Sequence, residues 1–149
     1  MYIFVRFLIF MSNVFPRMAW LSFCGLLGQT AYRVAVKTRN LTIAHLSLAF
    51  GKEKDHKEIR RLARKVFIMM GKNAGDILRS SAVKSLADLE RFLLTTGLEH
   101  FEKAQQKGKG VIFLTCHLGA FDLQVTNMAL RGLNPNIIGT PLKNKDLND

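Results

Sequence analysis

Cysteine is nearly absent. Cys24 and Cys116 are the only two, far apart and each in an apolar stretch. They offer no disulfide framework and no metal-ligand spacing, so a reducing compartment fits. Acidic residues are also scarce, with 11 Asp and Glu against 22 Lys and Arg, a net charge of +11. That excess restricts partners to anionic ones, either nucleic acid or a lipid surface. Motifs that read RNA or DNA are missing and aromatics are not interleaved with the basic residues, which argues against nucleic acid. Internal repeats, low-complexity segments and a clean linker are lacking too. An ideal membrane span is lacking as well. Met1 to Phe15 is almost wholly apolar apart from Arg6, Pro16 and Arg17 interrupt, and Met18 to Ala31 is apolar again. A spanning helix needs about 20 such residues.

What is present divides near Lys37. Residues 1–37 read as a membrane anchor or as interfacial helices, and residues 38–149 as a globular part. The rival reading is a signal peptide, with Arg6, an apolar centre and small residues near Ser22–Gly25. The cleavage site is poor and the apolar pattern continues past it. A retained anchor is expected, either one tilted span or a helical hairpin in the interface. Arg33 to Lys84 then holds thirteen Lys or Arg against four acids. Such a basic zone directly after an apolar segment favours a membrane and predicts that the globular part lies on the cytoplasmic side.

At 149 residues the chain can form one domain with a sizeable core. Asn40 to Phe50 reads as a short helix, with His45 as a partly buried structural histidine. Asp55 to about Arg79 is the clearest helix: Asp55 caps, Glu58 completes a capping box, and a broad apolar face opposes Arg60, Arg61, Arg64, Lys65 and Lys72. That basic face is either solvated or a surface for anionic headgroups or an acidic carrier protein. Gly71 and Gly75 cost helix stability and allow close packing. Ser85 and Asp88 can cap a further helix, while Arg91 to Thr95 can be a strand. Gly97 opens a helix over Leu98–Lys107, and Asn136 to Thr140 reads as a short strand.

The stretch Val111-Ile-Phe-Leu-Thr-Cys-His-Leu-Gly-Ala-Phe-Asp-Leu123 carries the chemistry. Val111 to Cys116 is a β-forming apolar run, the pattern of a strand buried on both faces. Gly119 permits a positive φ and a sharp turn, and Ala120 to Leu130 has helical spacing. The loop at such a strand end is where α/β folds gather ligands. Asp122 sits near the positive helix terminus, a place that favours a carboxylate. It can orient His117, whose other ring nitrogen is then free to take a proton from a hydroxyl. The spacing alone also fits a surface or capping pair; the strand-glycine-helix context favours catalysis. Cys116 beside His117 is expected to be a small core residue, because neighbours on a strand point to opposite faces.

These residues resemble a known family. Gly108-Lys-Gly-Val-Ile-Phe-Leu-Thr-Cys-His-Leu-Gly-Ala-Phe-Asp-Leu123 is similar to the first block of the bacterial lipid A biosynthesis acyltransferases. They are part of a wider group of glycerolipid-type acyltransferases with a His-x4-Asp/Glu motif. Thr38-Arg-Asn-Leu to Phe50, Gly97-Leu-Glu-His100 and Pro141-Leu-Lys-Asn144 resemble further blocks in the same order. Thr140 stands where the family commonly has Arg, and Asp122 where these enzymes usually have Glu.

The resemblance implies an α/β fold: a helical membrane-proximal N-terminus, then the first strands of a mixed sheet, including one over Arg91–Thr95. It implies a chain truncated to the family's N-terminal half, at the bacterial inner membrane. The implied activity moves a fatty acyl chain from acyl carrier protein, less often coenzyme A, to a hydroxyl of a lipid A precursor. His117 and Asp122 would be catalytic, with Gly119, Lys143 and Asn144 binding substrate. No cofactor and no metal is needed. Three alternatives stay open: another glycolipid or aminolipid as acceptor, a basic membrane-binding module without turnover, and an inactive remnant.

Overall fold

A computed structural model of the chain describes residues 2–139. The chain packs as two units, one ending at Arg79 and one beginning at Ser80.

The first unit is four helices. α1 spans Tyr2–Val14 and α2 Arg17–Val34, parted at Phe15–Pro16. Pro16 is extended (φ −54°, ψ 138°) at the N-cap of α2, where its missing N–H costs nothing. Helix α1 therefore ends there with orphan carbonyls. The Arg79 guanidinium satisfies two of the terminal ones, donating to Ser12 O and, at 2.8 Å, to Phe15 O. α3 spans Val36–Phe50, set off from α2 by a non-helical Ala35. No residue of α3 is fully buried. His45 is exposed there, not partly buried as expected, because none of the described elements covers that face. α4 spans His56–Arg79 and begins with the expected capping box: the Glu58 N–H donates to Asp55 Oδ1 at 2.8 Å, and the Asp55 N–H to Glu58 Oε2 at 3.2 Å.

Small residues decide how α2 meets α4. A Cβ on Gly28 would lie 2.2 Å from Phe67 O, and one on Gly71 would lie 2.3 Å from Cys24 O. Either would collide with backbone, so glycine sets the helix separation. Trp20, Leu21 and Cys24 are buried along this seam, with Leu8, Met11 and Leu78 packed on them. Farther along α4, Ile59, Ala63 and Phe67 are buried. The indole Nε1–H of Trp20 donates to Gly75 O at 3.0 Å. Arg17 grips Asp76 with two bonds, Nε to Oδ1 at 2.9 Å and Nη2 to Oδ2 at 2.8 Å, the bidentate geometry that guanidinium favours. The composition break near Lys37 falls between α2 and α3, both of which pack against α4.

The second unit starts with a 3-10 turn at Ser80–Ala82. Three short helices come next: α5 (Leu86–Glu90), α6 (Leu98–Gln105) and α7 (Leu123–Leu130). Here the expected α/β architecture is overturned. Among the described residues there is no strand. Arg91 and Phe92 form a turn after α5, Val111 to Cys116 has no regular secondary structure, and neither has Asn136 to Gly139. Thr140 lies outside the described residues. A strand is stabilised by the backbone and side chains of its neighbours, and among the described residues none of these segments pairs with one. Ile112 (91 %) and Leu114 (96 %) are consequently exposed rather than buried on two faces. The glycine and capping signals fared better. Ser85 and Asp88, read as able to cap a helix, form a capping box at the start of α5, and Gly97, at φ 81°, opens α6.

Candidate active site

The His117 corner is built by local turns and three side-chain ties. The Leu118 N–H donates to Cys116 O at 2.8 Å, closing a three-residue turn with His117 at its centre. Gly119 comes next at φ 66°, the left-handed conformation expected of it. The chain then tightens through i to i+3 bonds: Leu123 N–H to Ala120 O at 3.0 Å and Gln124 N–H to Phe121 O at 3.0 Å. Asp122 occupies the N-cap position of α7 in helical conformation, and its carboxylate accepts no capping bond. Helix α7 thus starts at Leu123, later than the apolar spacing suggests.

The ties hold this turn from both sides. Thr115 Oγ1 donates to Gln124 Oε1 at 2.7 Å, spanning the whole corner. Phe113 rests against Phe101 of α6, with ring centroids 5.2 Å apart. Behind the corner, buried Asn127 donates to Thr95 Oγ1 at 3.0 Å and accepts from Arg131 Nε at 3.0 Å. Arg131 reaches on to Glu90 Oε1 at 3.2 Å. This chain of bonds fixes α7, hence Asp122, against α5. Sequence reasoning missed Thr115, Gln124, Asn127 and Arg131. Asn127 and Arg131, at i and i+4 of a short helix, were the available signal.

His117 is exposed, with its ring beside that of Phe121 at 4.3 Å and 54°. Asp122 is exposed too, and the two make no hydrogen bond or ion pair with each other. They are neighbours on one turn, each solvent-accessible, with nothing between them fixing the imidazole to the carboxylate. Catalytic hydrogen bonds of unliganded sites commonly tighten only with substrate. Cys116 is exposed, which corrects the core role expected of it, since the strand that would have buried it does not form. Gly119 has open space where a side chain would project. Lys143, Asn144 and Pro141 lie outside the described residues.

One carboxyl and one thiol elsewhere sit in perturbing environments. The Ser85 hydroxyl, and then the Lys84 N–H, hold the Asp88 carboxyl below its ordinary range. Burial, and then the charge of Asp76, push the Cys24 thiol up. Among the described residues no helix is long and apolar enough to cross a membrane, so the tilted span expected as one alternative is not found there.

No curated protein and no solved structure matches the chain. The family model described as bacterial lipid A biosynthesis acyltransferase matches residues 1–149, the whole length over which the ordered blocks and the His-x4-Asp corner were read. The chain therefore belongs to the bacterial lipid A biosynthesis acyltransferase family.

Proposed function

We propose that the chain transfers a fatty acyl group from the thioester of acyl carrier protein, or of coenzyme A, to a hydroxyl of a lipid A precursor. The observation that carries this reading is the family match together with His117 and Asp122 on one turn entering a helix. His117 takes the proton of the acceptor hydroxyl as its oxygen attacks the thioester carbonyl carbon. When the tetrahedral intermediate collapses, the carbon–sulfur bond breaks and the imidazolium gives its proton to the leaving thiolate, which departs as the thiol. Asp122 turns toward the imidazole when substrate fills the corner, orients it and balances its charge. Gly119, lacking a side chain, lets the acceptor approach the turn, and Lys143 and Asn144 contact the substrate.

We place this chemistry on the cytoplasmic face of the bacterial inner membrane. Ile3, Phe4, Phe7, Phe10, Met18 and Leu26 are exposed apolar residues of α1 and α2, followed by the basic zone. That is the make-up of helices lying in a lipid interface. The same feature favours a second reading, a basic membrane-binding module without turnover.

One experiment separates the two. Isolated membranes carrying the chain or its His117→Ala variant are given acyl carrier protein with a labelled acyl chain and a lipid A precursor. Labelled precursor from the chain, lost in the variant at equal membrane binding, is the expected result. Equal labelling from both would sink the general-base assignment, and membrane binding without labelling in either would favour the second reading.

A further inference from the structure

We infer that the start of α4 holds a binding site for the phosphate of an anionic phospholipid headgroup. Lys54, Glu58, Arg61, Leu62 and Lys65 line a cavity of 180 Å³. Glu58, Arg61, Leu62 and Lys65 recur at i, i+3, i+4 and i+7, so they share one face of the helix. Lys54 joins them from the turn before it.

The cavity is electrically lopsided. Three cations face one carboxylate, and that carboxylate is engaged, since Glu58 Oε2 accepts the Asp55 N–H at 3.2 Å. The salt bridges among the described residues involve none of Lys54, Arg61 and Lys65. A phosphate is the complement: one compact anionic group that can accept from a guanidinium and two ammonium groups together. Leu62 adds an apolar wall, which suits a headgroup joined to a glycerol and acyl chains more than a free ion.

Its place in the first unit argues for a lipid surface. Helix α2 runs antiparallel to α4, with Arg17 at Asp76 and the Tyr32 hydroxyl donating to Arg60 O at 3.4 Å. The cavity therefore lies at the C-terminal end of α2, whose outer residues Met18, Phe23, Leu26 and Leu27 are exposed and apolar. A helix laid in the interface would bring the cavity to headgroup level. The site deepens the membrane placement above but does not depend on the acyl-transfer chemistry.

The test measures binding of the full chain to vesicles of neutral phosphatidylcholine alone and with added phosphatidylglycerol. The triple variant Lys54→Gln, Arg61→Gln, Lys65→Gln is compared with Lys57→Gln, Arg60→Gln, Arg64→Gln. The second triple removes the same charge from α4, outside the cavity. All substitutions keep good helix formers, and far-UV circular dichroism checks folding. The cavity triple is expected to lose at least about tenfold of the affinity gained from phosphatidylglycerol, and the control triple clearly less. Binding to neutral vesicles, which reports the apolar helices, should be the same for all three proteins. Its loss in the wild type would overturn the interfacial placement and not the cavity. Equal losses in the two triples, or none in either, would overturn the site. Inorganic phosphate matched in ionic strength to sodium chloride separates the sources. No selective displacement by phosphate is expected, and selective displacement would assign the cavity to free phosphate instead.

Discussion

If glycine sets the separation of α2 and α4, alanine at two neighbouring positions must act with opposite sign. At Gly28 an added Cβ would meet Phe67 O at 2.2 Å and the Phe67 carbonyl carbon at 3.0 Å. Both are backbone atoms inside a helix and cannot rotate away, so the helices must part. Overpacking of this kind costs about 1–3 kcal/mol. Alanine returns about 1 kcal/mol of helix propensity, which leaves a net loss of up to about 2 kcal/mol. At Gly25 the same Cβ would meet Lys72 Cε at 3.1 Å and Ile68 Cγ2 at 3.4 Å. The lysine end swings aside at little cost, so Gly25→Ala should keep most of the propensity gain. Thermal unfolding followed by far-UV circular dichroism in mild detergent reads the difference. For a unit of this size 1 kcal/mol shifts Tm by about 4–8 °C. Gly28→Ala should melt lower by several degrees and Gly25→Ala at the wild-type temperature or above it. Shifts of the same sign and size in both would refute the close approach of the two helices.

Arg17→Ala should cost about 1–2 kcal/mol, because it leaves the Asp76 carboxylate at the seam without its bidentate partner, and solvent at Arg17 screens part of the loss; denaturant melts of Arg17→Ala, Asp76→Asn and the double variant check it. The Asp88 carboxyl is held down chiefly by the Ser85 hydroxyl, so its contribution to the α5 cap is complete above the ordinary carboxylate range and is lost as pH falls through the lowered value. Side-chain carboxyl NMR should show Ser85→Ala bringing that titration back upward. With its thiol buried and shifted up by that burial and by Asp76, Cys24 should resist an alkylating reagent that modifies exposed Cys116 readily, which mass spectrometry of the native protein reads directly; comparable rates would contradict the seam packing.

Some of this molecule was legible in the sequence because its cause is local. The Asp55–Glu58 and Ser85–Asp88 boxes need only a few neighbouring residues, and so does the break at Pro16. The close approach hinted at by Gly71 and Gly75 is also real, although its partners Cys24 and Gly28 became visible only once α2 lay against α4. The lack of a sheet among the described residues was not legible for the opposite reason. Val111 to Cys116 has the composition of a strand, but composition states only that a segment suits a pleated surface; pairing requires a second segment alongside. With no paired strand among the described residues, Ile112, Leu114 and Cys116 are exposed, and Cys116 loses the strand that would have buried it. At the site, the turn through Gly119 could be read from its glycine. The His117–Asp122 contact did not appear, since nothing in the described corner locks the imidazole toward the carboxylate.

The central claim is that His117 and Asp122 work as one unit on the acceptor hydroxyl. Rates of labelled acyl transfer in membranes for His117→Ala, Asp122→Ala and the double variant test it most directly. Residues that act as a unit are strongly non-additive. His117→Ala should therefore lose about 10²–10⁴ in rate, and the double variant no more than that. Losses that multiply in the double variant, or a His117→Ala protein as fast as the wild type, would contradict the account.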